Sequence, residues 1–506
     1  MFECGIPRTP LHPPALRGTI ASVRDLALEA LDAAVASGAS YTDVRVISTR
    51  DRHLGTKNGK ISQIQAAESL GAGIRVIAGG CWGFAATDDL AKSGLDAAAR
   101  LAVSIARSGV LARKAEIRLA PEGAHQATWV SPCAVDPFVI PVEQQVALLL
   151  KVDAELKRHP GVTLAESSLL FTRTRQVFAS SEGSVIDQTR TVSGAGCAAY
   201  SFKDDDIQKR SYPNSFGGQY QLKGYELIDE LDLAGHAPRI AEEAVALHSA
   251  DQCPQGEFSL ILDGSQLGLQ IHESVGHPIE LDRVLGSEAN YAGMSFLTLD
   301  QLNALRYGSG IVNVVCDARL EHGPGLGTFA FDDEGVAAQS VPIISNGLFT
   351  GYMTSRETAA QIGQARSNGT MRADSWSHIP LIRMTNVSLM PGDQSLDEVF
   401  DVGHAIYMET NKSWSIDDKR YNFQFGCEIG WEIRNGKRVR MLKNPSYSGI
   451  STEFWNSCDA IANRDHWVLW GIPNCGKGQP EQVMGTGHGA SPSRFRSIRI
   501  GGAYAG

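Results

Sequence analysis

The sequence has no long apolar run and no excess of positive charge. No stretch approaches the ~20 consecutive apolar residues that a membrane-spanning helix requires, and residues 1–19 contain no apolar signal core. The net charge is −10 and the pI is near 5.7, which argues against nucleic acid or an anionic membrane as the main partner. These features favour a soluble protein with other kinds of partner.

Cysteine is sparse and shows no paired spacing. Nine cysteines, an odd number, are scattered over 506 residues. Without a recognisable signal peptide, this pattern is typical of free thiols in a reducing compartment. We therefore expect a cytoplasmic protein.

The length and the residue patterns predict a two-domain α+β fold, because 506 residues exceed one ordinary core. Residues 1–20 are rich in proline and are interpreted as an N-terminal arm, after which Ser22 is predicted to cap a helix. Residues 21–250 mix helical and alternating patterns and predict an α+β domain. Residues 251–506 are richer in glycine and β-branched residues and predict a β-rich domain.

One stretch, EFSLILDGSQLGLQIHESVGHPIELD at residues 257–282, organises the second domain. It predicts a buried strand over 258–262, a two-residue turn, and a helix that begins near Ser265. The helix carries His272, Glu273 and His277. Two imidazoles can hold a zinc ion, and a carboxylate beside the first can accept the proton of a metal-bound water. The stretch therefore predicts a metal site on a helix.

The spacing of the two histidines is unusual for a zinc helix. The common motif has them four residues apart, whereas His272 and His277 are five apart, roughly 140° around an ideal helix. Both can face one metal only if the helix forms a π-bulge or ends between them. Gly276 could form a left-handed cap and Pro278 forbids continuation, so we expect the helix to end before His277.

A catalytic zinc needs a third protein ligand, and the residues alone leave three candidates. Glu280 and Asp282 are close in sequence. Cys475 lies in a glycine-rich segment beside Lys477, where its thiolate would be favoured. Cys427 and Cys458 are interpreted as small buried thiols.

Four further side chains could contact a substrate. His322 lies in a glycine-rich loop, and His378 and His488 could donate to a developing oxyanion. Arg383 could bind a substrate carboxylate, although an arginine on a strand is usually a structural ion pair. The GPGLG segment at residues 323–327 lacks the Lys-Ser/Thr of a nucleotide loop.

With these residues assembled, the chain resembles the TldD/PmbA family of zinc metallopeptidases, more closely the TldD side. The resemblance is carried by AESLGAGIRVIAGGCWGFAATDDL (67–90), IHESVGHPIELDR (271–283), FDDEG (331–335), RMTN (383–386), NGK (435–437) and CGKGQP (475–480). It implies zinc bound by His272, His277 and Cys475, with Glu273 as general base. It also implies a two-domain α+β fold and a dimer, commonly with a TldE/PmbA-like subunit.

The sequence therefore leads to the hypothesis of a zinc peptidase that acts on flexible or unfolded peptides or peptide precursors, as a homodimer or heterodimer. The peptide is expected to bind as an added strand. Two alternatives stay open: a non-catalytic binding or regulatory subunit stabilised by its metal, and a metal hydrolase of a non-peptide amide.

Overall fold

The computed structural model describes residues 23–501. The expected arm of residues 1–20 and the predicted cap Ser22 lie outside the described residues. Helices and strands are mixed along the chain and the C-terminal part is β-rich, so the predicted α+β fold class is confirmed.

The N-terminal part is one large sheet with helices packed on it. Its elements are α1 (Val23–Ala36), β1 (Tyr41–Lys57), β2 (Lys60–Ala78), β3 (Cys81–Thr87), α2 (Lys92–Gly109), β4 (Gln126–Val130), α3 (Val142–Lys157), β5 (Leu164–Ser180), β6 (Val185–Lys203), β7 (Asp206–Tyr212), β8 (Gln219–Gln221), α4 (Glu226–Leu231) and α5 (Leu233–Ala246).

A two-residue turn joins the first two strands of this sheet, β1 and β2. Asn58 and Gly59 both have positive φ, 51° and 72°, as required for a hairpin turn whose twist matches its strands. As a result β1 and β2 pair along nearly their whole lengths. The strand order is β3-β2-β1-β5-β6-β4, with β7 and β8 also on β6. Helices α2 and α3 pack their buried sides against the sheet.

The C-terminal part contains two larger sheets and the motif helix. Its elements are β9 (Asp251–Gln252), β10 (Gly256–Leu262), α6 (Gly264–Ile271), a π-helical turn (His272–Gly276), α7 (Leu281–Val284), β11 (Val314–Asp317), β12 (Ser340–Ser345), β13 (Leu348–Phe349), α8 (Arg356–Gln361), β14 (Met371–Arg372), β15 (Leu381–Ile382), β16 (Asn386–Leu389), α9 (Leu396–Phe400), β17 (His404–Ile416), β18 (Asn422–Arg434), β19 (Lys437–Lys443), β20 (Ser446–Ile450), α10 (Ser451–Asn456), β21 (Cys458–Ile461), β22 (Val468–Lys477), β23 (Gln482–Ala490) and β24 (Ser493–Ile500).

The motif helix α6 lies between these two sheets. One sheet has the order β17-β10-β24-β20-β18-β19-β9, and because β17 also pairs with β18, five of its strands form a closed ring. The other has the order β13-β12-β11-β16-β23-β22. Helix α6 contacts β17 on one side and β16, β22 and β23 on the other, and every residue in it is buried. Neither α6 nor any other helix within residues 23–501 is long and apolar enough to cross a membrane.

Buried ion pairs connect the C-terminal part to the first sheet. The Glu334 carboxylate accepts hydrogen bonds from the Arg75 guanidinium (3.2 Å) and from the backbone N–H of Arg356 (2.6 Å). Arg75 also donates to Asp43 on β1, at 2.7 and 2.9 Å. Since buried charges are tolerated only when paired, these contacts favour a single arrangement of the two parts. The predicted boundary at residue 250 falls between α5 and β9, and the domain division stays a prediction.

Candidate metal centre

The strand that leads into the motif is the one the sequence predicts, and a side-chain cap at Asp263 takes the place of the predicted two-residue turn. Strand β10 ends at Leu262, and the Asp263 carboxylate accepts hydrogen bonds from the backbone N–H of Ser265 (2.8 Å) and from its hydroxyl (2.6 Å). A side-chain acceptor at this position satisfies a free N–H at the helix start. Helix α6 therefore begins at Gly264, one residue before the predicted start.

The predicted left-handed cap at Gly276 is wrong. Residues 272–276 form a π-helical turn, in which the N–H of His277 donates to the carbonyl of His272 at 3.1 Å. An i→i+5 bond accommodates one extra residue in the turn, so His277 returns to the side of His272, and their ring centroids are 4.8 Å apart. Gly276 does not have a positive φ. A Cβ atom at Gly276 would lie 2.2 Å from the sulfur of Met384, so glycine is needed there for close packing.

The structure brings Cys475 to the two histidines. It lies on β22, and its Sγ is 3.8 Å from Nε2 of His277. One ligand atom from each of the three residues lies within 4.8 Å of the others, and the three residues are 3–4% exposed. Zinc binds imidazole nitrogen at about 2.1 Å and thiolate sulfur at about 2.3 Å, which places neighbouring ligand atoms roughly 3–4 Å apart. The chemistry of the donor set fits a zinc ion, and its spacing of up to 4.8 Å is slightly wider than that ion requires.

Glu280 orients His277. One carboxylate oxygen of Glu280 lies 3.0 Å from Nδ1 of His277. Because burial is outweighed by nearby cations, Lys477 foremost, the pKa of Glu280 is held well below its usual value. The ionised carboxylate accepts the proton of Nδ1, which leaves the lone pair of Nε2 facing Cys475. In this geometry Glu280 orients the ring of His277 and contacts the nitrogen that faces away from Cys475.

His488 orients His272 in a similar way. Nδ1 of His488 donates to the backbone carbonyl of Val387 at 2.9 Å, and burial holds the pKa of His488 well below its usual value. Nε2 of this neutral ring is therefore an acceptor, and it lies 2.8 Å from Nδ1 of His272. Thr486 also contacts both nitrogens through its hydroxyl, at 3.0 and 3.3 Å. Nδ1 of His272 consequently carries a proton, and its Nε2 is free for a metal.

Burial and local charge set the protonation of the three donors. Burial lowers the pKa of His272 to about 4 and also lowers the pKa of His277. Burial alone would raise the pKa of the Cys475 thiol, but the adjacent His277, together with Arg383, brings that pKa below its usual value. Neutral imidazole and thiolate are the forms that bind a metal.

A network of buried ion pairs surrounds Glu280, the residue that orients His277. Lys477 donates to both carboxylate oxygens of Asp282, at 2.8 and 2.9 Å, and lies 3.5 Å from Glu280. Arg283 donates to Glu280 at 3.3 Å. Asp282, which the sequence left open as a ligand, is thus bound to Lys477, two residues beyond Cys475.

Glu273 is held by a residue from a distant loop. The Arg420 guanidinium, on the connection between β17 and β18, donates from Nη1 to Oε2 of Glu273 at 2.6 Å. The two side chains are 15% and 7% exposed. Among residues 23–501, no side chain or backbone group donates to the other oxygen, Oε1.

The other three residues that the sequence offered as substrate contacts, Arg383, His322 and His378, differ in burial and in their hydrogen-bond partners. Arg383 is fully buried and donates to the backbone carbonyls of Cys475 and Gln482, so it holds the strand that carries the thiol. His322 is 2.9 Å from the Ser388 hydroxyl. His378 is 2.6 Å from Asp374 and half-exposed. The contacts of these two histidines do not include His272, His277 or Cys475.

Sequence reasoning missed Arg420 and the roles of Glu280 and Lys477. Arg420 carries no motif, and its one local signal is a turn between two strand patterns. Glu280 was visible three residues after His277, where a carboxylate can reach the second ring nitrogen of a ligand.

Three family models match the chain over most of its length. They are described as PmbA/TldA metallopeptidase domain 1, central domain and C-terminal domain, and they match residues 42–106, 136–249 and 255–502. The chain belongs to the PmbA/TldD family. The resemblance predicted from the motifs is confirmed.

Relatives of this PmbA/TldD chain are named metalloproteases. A metalloprotease of Methanothermobacter thermautotrophicus is 27% identical over 463 residues, which cover 91% of this chain and 95% of the relative. A zinc metalloprotease TldD homolog of Saccharolobus solfataricus is 30% identical over 248 residues, 49% of this chain and 52% of the relative. The crystal structure of TldE from Thermococcus kodakarensis matches with a TM-score of 0.72, over 94% of this chain and 100% of that one, at 14% identity. That likeness shows a shared fold.

Proposed function

We propose that this PmbA/TldD chain is a zinc-dependent peptidase that hydrolyses flexible or unfolded peptides. The observation that carries the proposal is the group of three buried donors, His272, His277 and Cys475, with the buried carboxylate of Glu273 directly after the first of them in the chain. Catalytic zinc sites use three protein ligands and keep one position open, whereas structural sites are closed by four. The donor group found within residues 23–501 has three members, which supports a catalytic site.

Each residue has a defined task in this proposal. His272 and His277 would hold a zinc ion through Nε2, and Cys475 would hold it through its thiolate. In that position the ion would supply Lewis acidity, which polarises a scissile carbonyl and lowers the pKa of the attacking water. Glu273 accepts the proton of that water on Oε1, which receives no hydrogen bond from residues 23–501, and passes it to the leaving amine.

The position of Cys475 in its sheet favours a peptide as the substrate. Its order ends on β22, so the strand with the thiol is an edge strand of that sheet. An extended peptide added beside an edge strand gains affinity from backbone hydrogen bonds, with little dependence on its sequence. Such a peptide would lie beside the metal centre. We also propose that the chain assembles as a dimer, with a second copy or with a TldE/PmbA-like subunit, as the family resemblance implies.

The test is a substrate panel with a base-deficient variant. Unstructured peptides, small amides and small esters are incubated with the zinc-loaded chain, alone and mixed with a TldE/PmbA-like subunit, with and without a chelator. We expect chelator-sensitive cleavage of the peptides. Glu273→Gln should retain zinc and lose cleavage by at least about 10²–10⁴-fold, the usual contribution of a general base.

The same panel separates the two alternatives. Chelator-sensitive hydrolysis confined to small amides or esters would identify a hydrolase of non-peptide bonds. Peptide binding without cleavage in every combination would identify a binding subunit. Normal cleavage by Glu273→Gln would remove Glu273 as the base.

A further inference from the structure

Arg420 makes the one side-chain hydrogen bond that Glu273 receives in the described part of the chain. The donor–acceptor distance is 2.6 Å, and both groups are largely shielded from water. A charge-assisted hydrogen bond at this distance is among the stronger ones in proteins. The contact is made to one oxygen only, so the carboxylate is anchored at Oε2 while Oε1 stays available.

The backbone of Arg420 is held independently of its side chain. Its N–H donates to the carbonyl of Asp417 at 2.9 Å, and its carbonyl accepts from the Ser451 hydroxyl at 3.0 Å. The Asp417 carboxylate accepts from the N–H groups of Tyr421 (2.7 Å) and Asn422 (3.2 Å). The preceding carbonyl, that of Lys419, accepts from the N–H of Phe296 at 3.0 Å. The loop is therefore a fixed support, and shortening the Arg420 side chain should leave it in place.

The conformation of Arg420 also indicates a role for its side chain. Its φ is 65°, in the left-handed region that costs a residue with a Cβ about 1–2 kcal/mol. Glycine or asparagine is favoured at such turn positions. An arginine at this position is therefore poorly suited to the turn itself, and its guanidinium is well placed to reach Glu273.

We infer that Arg420 is the positioning residue of Glu273: it holds one carboxylate oxygen from a rigid loop so that the other faces the site. This inference rests on the proposed peptidase function for its kinetic consequences. The positioning itself is a geometric statement about this chain. A base displaced by about 1 Å can lose about 10²-fold in rate.

The first experiment is structural and needs no activity. Crystal structures of the zinc-loaded Arg420→Ala variant and of the zinc-loaded wild type are determined separately and compared. We expect the Glu273 carboxylate to be displaced or disordered, with His272, His277 and Cys475 unchanged. A Glu273 carboxylate that stays in its wild-type position would overturn the inference, whether or not the protein cleaves peptides.

The second experiment is kinetic. It separates the positioning of Glu273 from the mere loss of a positive charge in this loop. Arg420→Ala should lower kcat by about 10- to 100-fold, with KM, zinc content and thermal stability close to wild type. Lys419→Ala, which removes a neighbouring exposed cation from the same loop, should leave kcat unchanged. Added guanidinium ion should restore part of the kcat of Arg420→Ala, and Arg420→Lys should retain more activity than Arg420→Ala.

The outcomes distinguish this inference from the proposed function. A wild type that cleaves nothing contradicts the peptidase proposal, and the crystal structures still decide the position of Glu273. A wild type that cleaves while Arg420→Ala keeps or exceeds its kcat contradicts the positioning role. An increase in kcat would instead identify Arg420 as an inhibitory contact.

Discussion

Nδ1 of His272 lies 2.8 Å from Nε2 of His488, and this contact decides which nitrogen of His272 is left for a metal. His488 is held by the carbonyl of Val387 through its own Nδ1–H. The neutral ring of His488 therefore accepts at Nε2 the hydrogen bond that Nδ1–H of His272 donates. Such groups behind a ligand fix its orientation and raise its basicity.

Removing His488 should weaken zinc binding. In His488→Ala the ring of His272 loses its nearer acceptor and keeps only the Thr486 hydroxyl at 3.3 Å. The ring can then present the wrong nitrogen, so we expect zinc affinity to fall about 10- to 100-fold. The measurement is a competition titration with a chromophoric chelator. His322→Ala is the matched control, because His322 is also buried but contacts Ser388 instead of a proposed ligand. An unchanged affinity in His488→Ala would contradict this role.

Replacing Cys475 should remove most of the zinc. A serine hydroxyl is a much poorer zinc ligand than a thiolate, because it stays protonated at neutral pH. Elemental analysis of purified Cys475→Ser should therefore show little zinc. Cys458→Ser is the control, since Cys458 is equally buried and lies outside the donor group. Full zinc retention in Cys475→Ser would exclude Cys475 as a ligand.

Replacing Lys477 should destabilise the C-terminal part. Lys477 is fully buried and is bound to Asp282, so Lys477→Met leaves buried carboxylates without their cation. Breaking a buried pair from one side costs about 3–5 kcal/mol. Urea unfolding followed by tryptophan fluorescence measures the loss. Lys437→Met, at an exposed position, should shift the unfolding midpoint little, and equal shifts in the two variants would argue against the network.

Replacing Glu334 should loosen the connection between the two parts of the chain. Arg75 keeps Asp43 as a partner, so the expected loss in Glu334→Ala is about 1–3 kcal/mol, the cost of an unsatisfied buried group. Thermal unfolding and limited proteolysis should show earlier separation of the two parts. Glu68→Ala, which removes an exposed partner of Arg50, should change stability by less than about 0.5 kcal/mol. Unchanged unfolding of Glu334→Ala would show that the contact is not needed.

Much of the local structure could be predicted from the sequence because its causes are local. The strand before Asp263 follows from an apolar run, and the helix after it follows from a side-chain cap. The Asn58-Gly59 and Asn435-Gly436 turns follow from residues that tolerate positive φ, and both pairs have it. The family was recognisable from motifs alone.

The π-helical turn was not predictable in this way. A glycine before a proline fits a helix stop as well as it fits close packing. In the structure the sulfur of Met384 occupies the space that a side chain at residue 276 would need, so this glycine serves close packing. That contact joins residues more than a hundred positions apart, so no local pattern records it.

By itself the sequence determined the residue types at the candidate site, the strand and helix that present His272 and Glu273, and the family. Only the tertiary structure decided how the site is arranged. It turned His277 towards His272, brought Cys475 to them from an edge strand, and placed His488 and Arg420 against His272 and Glu273. The physical reason is that local preferences set the backbone over a few residues. Ligand orientation and charge pairing, in contrast, depend on side chains that meet only after the sheets have packed around α6.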